Sequence, residues 1–302
     1  MDLVLHWSTS AGAEELGADE LWNRGATAVQ LGDGVLLASF PTEAATRQAA
    51  SELGATVEEV DPAWQDAWKS FAEPVELPGV VVTPAWREVE LGVDRLSLSI
   101  DPGPVFGSGS HPSTRLLLGL LAESPPSGLD VLDVGTGSGI LAVAAALLGA
   151  ARVTAIDVDP AAVPVARANA ARNRVAGQVE VSTTAVSEVG GGHDLVLVNL
   201  TAGVHAEVGA DAAAAVRPGG RLWLAGLLPG QWRHVAGAYP GCKVVAETAL
   251  DGWVGAILAK AGGVAPTGAG SVPTAARRSP TGADGLCRPP ARSRRDRRSG
   301  SA

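Results

Sequence analysis

Three glycines that alternate with small polar residues form the clearest candidate ligand site in this sequence. Gly135, Gly137 and Gly139 stand between a mostly apolar run at 131–134 and an apolar run at 140–148. The first run has the length and β-branching of a buried strand, and the second has the length of a helix. A turn between such elements brings backbone N–H groups and a helix N-terminus close to a ligand, and a Cβ on the glycines would block that approach. The sequence therefore predicts a ligand bound at this turn.

An acidic residue closes the next apolar run along the chain. Asp157 follows residues 152–156 and lies 22 residues after Gly135. A βαβ unit places a carboxylate at about this distance, where it accepts hydrogen bonds from ribose hydroxyls. The turn and the carboxylate together predict a cofactor that contains a nucleoside.

The glycine spacing bears on which cofactor this is. It reads Gly-x-Gly-x-Gly, with Asp133 two residues before Gly135, whereas the dinucleotide fingerprint is Gly-x-Gly-x-x-Gly. The variant resembles the S-adenosylmethionine (SAM) loop of class I methyltransferases. Because SAM has no pyrophosphate, such a turn need only lie close to the amino-acid end and the ribose of SAM. A nicotinamide or flavin site, and a turn that binds no nucleotide, stay open at this point.

Composition and charge limit the classes of partner. The chain has 302 residues, 46% of them hydrophobic, and a net charge of −9. The residues from Gly262 onward carry a net charge of +6, which leaves −15 for the residues before them. This acidic part does not resemble a nucleic-acid binder, and its charge suits either a basic protein partner or solubility alone. The two cysteines, Cys242 and Cys287, suggest neither a disulfide framework nor a zinc site, so no metal is expected.

The sequence gives no sign of a membrane or a secretory route. The first residues lack the basic region that opens a signal peptide. The longest apolar stretch, 140–151, is shorter than the ~20 residues that a membrane-spanning helix needs. We therefore expect a cytoplasmic protein.

The first 95 residues predict a small domain and a connector. Residues 1–60 have the element order βαββαβ, which is ferredoxin-like. The predicted elements are a strand at 3–7, a helix at 13–23, strands at 27–31 and 35–40 joined through Gly32-Asp33-Gly34, a helix between Thr42 and Gly54, and a strand at 56–60. Residues 61–95 are expected to be a connector, with a helix at 61–71 and a strand at 80–82.

Residues 96–260 predict an α/β domain. Alternating strands and helices favour a mostly parallel, Rossmann-like sheet of seven strands with helices on both faces and an antiparallel last strand. The predicted strands lie at 96–100, 131–134, 152–156, 179–181, 193–200, 221–225, 243–249 and 253–259; the predicted helices lie at 113–123, 140–148, 160–173 with Asp159 as cap, 202–216 and 230–239. Residues 261–302 are rich in Gly, Pro, Ser and Arg and are expected to be disordered.

A loop rich in glycine and hydroxyl groups precedes the first helix of this domain. It reads Asp-Pro-Gly-Pro-Val-Phe-Gly-Ser-Gly-Ser-His-Pro-Ser-Thr-Arg from Asp101 to Arg115. Such a loop beside a cofactor turn is a candidate ligand wall, although an ordinary crossing between domains stays open.

Three separated stretches together resemble the PrmA-type family, the SAM-dependent methyltransferases of a large-subunit ribosomal protein. They are the Asp-Pro-Gly-x-x-Phe-Gly-x-Gly-x-His-Pro-x-Thr loop, the Asp-x-Gly-x-Gly-Ser-Gly-Ile-Leu turn and the Val-Asn-Leu strand end at 198–200. The resemblance covers roughly residues 1–260. It implies methyl transfer to lysine side chains, to the N-terminal α-amine or to both. We expect a monomer, and from the acidic composition we expect no direct contact with nucleic acid. A class I methyltransferase for another protein or a small molecule is the alternative, and an NAD-dependent oxidoreductase is more remote.

The resemblance also assigns residues. It implies cofactor contacts for Thr114, Gly135, Asp157 and Asn199, and the neighbouring glycines, Gly137 and Gly139, belong to the same expected site. Phe106, Gly107 and His111 match the family's loop, and residues 1–60 match its small substrate-recognition domain in element order. His111 is a candidate proton acceptor, although a histidine before a proline in a loop is more often structural. No catalytic residue is assigned.

Overall fold

The computed structural model describes residues 2–9, 14–26, 28–32, 34–60, 73–87 and 95–262. The predicted connector helix at 61–71 lies outside these residues, and so does the predicted disordered tail beyond residue 262.

A four-stranded antiparallel sheet forms the N-terminal unit, with strand order β2-β3-β1-β4. Its elements are β1 (Asp2–Ser8), α1 (Glu14–Asn23), β2 (Ala28–Gly32), β3 (Val35–Ser39), α2 (Glu43–Leu53) and β4 (Thr56–Val60). Thr42 begins α2 as predicted, because its hydroxyl accepts the Ala45 N–H at 3.2 Å. Gly54 ends the helix in the left-handed conformation, at φ +64°. The sheet buries Leu5 and Leu36 against the helices.

A small sheet of three strands precedes the main sheet. It contains β5 (Val75–Leu77), β6 (Val80–Pro84) and β7 (Leu96–Ile100), of which β6 and β7 are parallel. Strand β5 is not predicted by the sequence pattern, because its three residues are too few to show a period. Val80, Val82 and Leu98 are fully or almost fully buried in the same core as the helices of the main sheet, so this small sheet is part of the main hydrophobic core.

The main sheet has seven strands in the order β10-β9-β8-β11-β12-β14-β13. All neighbours are parallel except β14, which is antiparallel to β12 and to β13. The strands are β8 (Asp130–Val134), β9 (Arg152–Ile156), β10 (Val179–Ser182), β11 (His193–Asn199), β12 (Val216–Leu227), β13 (Cys242–Leu250) and β14 (Trp253–Lys260). This arrangement confirms the predicted sheet, including its antiparallel last strand.

Helices cover both faces of this sheet. They are α3 (Pro112–Glu123), α4 (Ile140–Leu147), α5 (Ala162–Arg172), α6 (Ala202–Ala215) and α7 (Trp232–Ala236). One core joins α3, α4 and α5 to the sheet, and a second joins α6 and α7 to it. Because both faces are covered, the central strands are buried throughout and show no alternation in sequence. None of the described helices is long and apolar enough to cross a membrane.

Several predicted boundaries differ from the structure. The helix predicted at 230–239 is limited to Trp232–Ala236, and two further boundaries are wrong for local reasons. Asp159 does not begin the helix, because α5 starts at Ala162, and the Asp159 carboxylate accepts the Ala161 N–H at 2.8 Å in the turn before it. The strand predicted at 221–225 begins earlier, at Val216, which pairs with His193. The chain therefore passes from α6 into β12 without a loop, although a proline and two glycines follow.

Candidate active site

A cavity of about 500 Å³ lies at the carboxyl ends of β8, β9 and β11. In parallel α/β sheets this end of the strands is where ligands bind. The cavity is bounded by the glycine turn after β8, the end of β9, the end of β11, the loop before α3 and the start of β14. Its volume lies within the range of small-molecule sites.

The glycine turn and Asp157 are in direct contact, as the sequence predicts. One carboxylate oxygen of Asp157 accepts the Gly137 N–H at 2.8 Å, and the other accepts the Asp159 N–H at 3.0 Å. An ionised carboxylate offers about four acceptor positions. Two therefore remain on a side chain that lines the cavity, which suits the two hydroxyls of a ribose.

The backbone amides of the turn are already bonded within the protein. Their acceptors are the Ile156 carbonyl for Gly135 and Thr136, the Asp157 carboxylate for Gly137, the Phe106 carbonyl for Ser138 and the Thr136 carbonyl for Gly139, at 2.8–3.0 Å. These N–H groups therefore already have acceptors within the protein. A pyrophosphate binds such a turn through free N–H groups, so this arrangement disfavours a dinucleotide.

The glycines are needed for contacts within the protein. A Cβ on Gly135 would lie 2.5 Å from the Leu200 side chain, and one on Gly137 would lie 2.6 Å from the Phe106 carbonyl oxygen. Gly135 and Gly137 line the cavity, but Gly139 does not. A Cβ on Gly139 would lie 2.9 Å from that of Ala166, so this glycine lets α5 approach the turn.

The loop before α3 is anchored to the turn by a buried asparagine. The amide nitrogen of Asn169 donates to the Asp101 and Ser138 carbonyls, both at 2.8 Å, and its oxygen accepts the Asp101 N–H at 3.0 Å. Asn169 is fully buried. The Ser138 hydroxyl donates to the Gly107 carbonyl at 2.6 Å. The loop is therefore an ordered wall of the cavity, and its anchor, Asn169, has no distinguishing feature in the sequence.

Thr114 and Asn199 meet inside the cavity although 85 residues separate them. The Asn199 amide nitrogen donates to the Thr114 hydroxyl at 3.2 Å, and both residues line the cavity. Thr114 is 1% exposed. This contact fixes the Asn199 amide and leaves its oxygen as a hydrogen-bond acceptor.

His111 begins α3 as its N-cap. Its Nδ1 accepts the Ser113 N–H at 3.2 Å, so the proton of the neutral ring is on Nε2. Burial lowers the pKa of His111 to about 4, and the ring is neutral at pH 7. Because the lone pair of Nδ1 is occupied, the geometry favours the structural interpretation of this histidine over the proton acceptor.

Three rings form one wall of the cavity. The His111 ring packs edge-on against Trp253, with centroids 4.6 Å apart, and against Phe106, with centroids 5.5 Å apart. All three line the cavity. Trp253 was predicted only as part of a strand, without a place in the site. Its position directly after the Asp251-Gly252 turn was the available signal, because that turn brings it to the ligand-binding end of the sheet.

Asp133 is a buried carboxyl group beneath the turn. Burial, with a smaller contribution from the Asp157 carboxylate, raises the pKa of Asp133 to about 7, although the Thr136 hydroxyl, at 2.6 Å, and the Ala142 amide oppose this shift. The carboxyl group therefore holds its proton in the folded protein at pH values where it is ionised in the unfolded chain.

This pKa makes the stability of the protein depend on pH. The raised pKa stabilises the fold fully below about pH 4, and that contribution is lost as the pH rises to about 7. We expect Asp133→Asn to remove a decline in the free energy of unfolding on the order of 3 kcal/mol across this range. Urea unfolding at pH 4.5 and pH 8 measures it (about 1–3 kcal/mol/M slopes are usual). Asp211→Asn, at a partly exposed position on α6, is the control and should keep the decline. An equal decline in the free energy of unfolding between pH 4.5 and pH 8 in wild type and Asp133→Asn would contradict the prediction.

The N-terminal unit contributes to the cavity wall. Gly25 and Ala26, which follow α1, and Pro41, which precedes α2, line the cavity together with residues of the main sheet. This contribution was not predicted, because a pattern of local elements does not show how two units pack.

Comparison with known proteins identifies the family. The family described as "Ribosomal protein L11 methyltransferase (PrmA)" matches residues 29–261. The chain belongs to this family. A ribosomal protein L11 methyltransferase of Symbiobacterium thermophilum is 43% identical over 207 residues, which are 67% of this chain and 66% of that protein. One of Deinococcus radiodurans is 36% identical over 225 residues, which are 72% and 82%.

A solved structure agrees in fold. The crystal structure of ribosomal protein L11 methylase from Lactobacillus delbrueckii subsp. bulgaricus has a TM-score of 0.58 and 25% sequence identity, and the alignment covers 63% of this chain and all of that one. The fold is thus that of class I methyltransferases. The chain spans about two thirds or less of the length of the first curated relatives, from 66% in Symbiobacterium thermophilum to 56% in Pelotomaculum thermopropionicum.

The residues that the PrmA resemblance assigned to the cofactor converge in this structure. Thr114, Gly135, Asp157 and Asn199 line one cavity. They come from α3, from the turn after β8, and from the ends of β9 and β11, so only the sheet topology brings them together.

Proposed function

We propose that this chain is a SAM-dependent protein methyltransferase that methylates amines of ribosomal protein L11. The acceptors would be lysine side chains, the N-terminal α-amine or both. The names of its relatives support the reaction and the substrate. The cavity supports SAM as the cofactor, and one observation is the main support for this assignment. The amides of the turn are bonded internally beside a carboxylate that still has free acceptor positions, which suits a ribose without a pyrophosphate.

The residues that line the cavity fit SAM in its separate parts. The Asp157 carboxylate would hold the ribose hydroxyls, and Val158, 89% exposed beside it, offers an apolar surface to the adenine ring. The Asn199 amide oxygen, fixed by Thr114, would accept a hydrogen bond from the amino group of the methionine end or from the incoming amine. Gly137 lets the turn lie against the loop before α3, because a Cβ there would lie 2.6 Å from the Phe106 carbonyl oxygen.

The chain's own residues would position the amine and exclude water. When bound, SAM supplies a methyl group that is already activated on a sulfonium, so positioning accounts for most of the protein's contribution. The wall of Phe106, Trp253 and neutral His111 is of low polarity. Because a lysine has an unperturbed pKa of about 10.4, the amine must lose its proton before it can react. An apolar surrounding favours the neutral form of an amine. This supports methyl transfer to an amine that lies against the wall of three rings, without an assigned base.

Mass spectrometry of ribosomal protein L11 tests the substrate. We expect its methylated forms to disappear when the gene is deleted and to return when the gene is restored. Unchanged methylation in the deleted strain would remove the assignment, and loss of methylation on a different protein would favour the alternative substrate class.

The N-terminal unit is proposed to dock the protein substrate. Residues 1–60 contain ten acidic residues and two arginines, which suits a lysine-bearing, cationic partner.

The proposed boundaries are 1–60 for this N-terminal unit, 61–95 for the connector and 96–260 for the methyltransferase domain. We also place the reaction in the cytoplasm, with the protein as a monomer that makes no direct contact with nucleic acid; the net charge of −15 before residue 262 supports the last point.

Removal of residues 1–60 is expected to abolish methylation while SAM still binds. Among the residues of this unit that the structure describes, only Gly25, Ala26 and Pro41 line the cavity, so we expect the affinity for SAM to stay within about tenfold of the full chain. Calorimetry measures binding, and mass spectrometry measures methylation of the purified substrate. Thermal unfolding of the truncated chain is the control for folding. Methylation at the full-chain rate would show that docking lies elsewhere.

A further inference from the structure

Two polar side chains are buried behind the cavity and have no part in the proposed reaction. His205 on α6 is 0% exposed, and Tyr239, which follows α7, is 2% exposed. Neither lines the cavity. Burial of such groups is costly unless each is hydrogen bonded, so their partners indicate what they do.

The directions of their hydrogen bonds are determined. His205 Nε2 lies 2.8 Å from the Ala225 carbonyl oxygen, which can only accept, so Nε2 donates. Burial lowers the pKa of His205 to about 4, although the backbone carbonyls of Ala225 and Leu200 oppose this in part. In the neutral ring Nδ1 is then an acceptor, and the Tyr239 hydroxyl donates to it at 2.6 Å. Tyr239 thereby fixes the tautomer of His205.

The same carbonyl group holds a wall of the cavity. The Leu200 N–H donates to the Ala225 carbonyl oxygen at 3.3 Å. The next residue, Gly226, has φ +84°, and a Cβ there would collide with the Leu200 carbonyl oxygen. Leu200 and Gly226 both line the cavity. The backbone of Leu200 is thus held between Ala225 and Gly226, and its position depends on how the Ala225 peptide is oriented.

We propose that His205 and Tyr239 are positioning residues, which fix the Ala225 peptide and through it the wall formed by Asn199, Leu200 and Thr201. The hydrogen bond from His205 occupies the second lone pair of the Ala225 carbonyl, and Tyr239 keeps the donor on Nε2. Without this pair, the peptide could rotate and Leu200 would lose its fixed acceptor. The effect on SAM rests on the proposed function, whereas the effect on the Leu200 amide does not.

Three variants separate positioning from packing. His205→Leu removes the donor and the acceptor, His205→Gln retains a side-chain N–H that can reach the Ala225 carbonyl, and Tyr239→Phe removes only the phenol oxygen. Val235→Ala is the matched control. Val235 is 3% exposed on α7 in the same core as Tyr239, so its truncation lowers packing without touching the hydrogen bonds.

The first measurement needs no ligand. Hydrogen exchange of the Leu200 amide, followed by NMR, is expected to speed up about tenfold in His205→Leu and about threefold in Tyr239→Phe, since one lost buried hydrogen bond commonly changes an equilibrium by such factors. His205→Gln should stay within about threefold of wild type. The proposal would be overturned if exchange of the Leu200 amide is unchanged in Tyr239→Phe, or if it is as fast in Val235→Ala as in His205→Leu.

The second measurement is the affinity for SAM, by calorimetry. We expect His205→Leu to bind about tenfold more weakly, and His205→Gln to recover most of that loss. Val235→Ala should lower the melting temperature and leave the affinity as in wild type. If wild type itself does not bind SAM, the proposed function fails, and the exchange of the Leu200 amide still decides the role of the pair.

Discussion

Replacement of Asp157 by alanine is expected to weaken SAM binding by tenfold or more. The carboxylate lines the cavity and retains free acceptor positions after it has bonded the Gly137 and Asp159 amides. Hydrogen bonds to a charged acceptor contribute about 1.5–3 kcal/mol each. The loss of even one such bond to a ribose hydroxyl therefore accounts for a factor of about ten. Isothermal titration calorimetry measures the change.

Two further variants show whether the effect comes from the ribose contact. Asp157→Asn keeps an oxygen for one backbone amide but loses the charge, and it should bind SAM with an affinity between those of Asp157→Ala and wild type. Glu180→Gln makes the same change of charge on the exposed face of β10 and should bind as wild type does. Thermal unfolding checks that the turn is retained. Equal affinities in Asp157→Ala and wild type would remove the ribose assignment.

The proximity of Asp157 to the glycine turn was predictable because both features are local. Each stands at the end of a buried strand, and in parallel sheets the carboxyl ends of neighbouring strands meet at one edge. The same reasoning predicted the order of strands and helices, since hydrophobic runs of strand and helix length alternate from residue 96 onward. Here the sequence pattern alone was sufficient to place Asp157 beside the turn.

The roles of the turn's amides were not predictable from the sequence. Gly137 donates to Asp157, which follows the next strand, and Ser138 donates to the Phe106 carbonyl, 32 residues earlier. Such partners depend on how the loop before α3 packs, and no local pattern encodes that packing. The close approach at the glycines, which the turn predicted, is made in this structure by the protein itself: by the Leu200 side chain at Gly135, by the Phe106 carbonyl at Gly137 and by Ala166 at Gly139.

Buried polar anchors were missed for a related reason. Asn169 and His205 each stand in a helix among small or apolar residues, and nothing in their spacing distinguishes them from exposed polar residues. Their importance follows from the carbonyl groups that they reach, Asp101 and Ser138 for one and Ala225 for the other. These contacts join segments far apart in the chain, so they become visible only when the sheet has brought the segments together.

Replacement of Gly137 by alanine is expected to have the largest effect on stability among single changes at the turn. Gly137 has φ +51°, and a Cβ there would lie 2.6 Å from the Phe106 carbonyl oxygen. A backbone oxygen cannot move aside as a flexible side chain can, so the loop before α3 would have to shift. Overpacking of this kind costs about 1–3 kcal/mol, in addition to about 1–2 kcal/mol for a left-handed alanine.

Gly128→Ala separates these two costs. Gly128 also has a positive φ, +74°, but a Cβ there would have no heavy atom within 4 Å. We expect urea unfolding to show the conformational cost in both variants and the additional cost only in Gly137→Ala. Because the Ser138 amide donates to the same Phe106 carbonyl, a shifted loop should also weaken SAM binding in Gly137→Ala and leave it unchanged in Gly128→Ala. Equal free energies of unfolding in the two variants would mean that the loop yields without cost, and the ordered wall that positions the proposed reaction would then not exist.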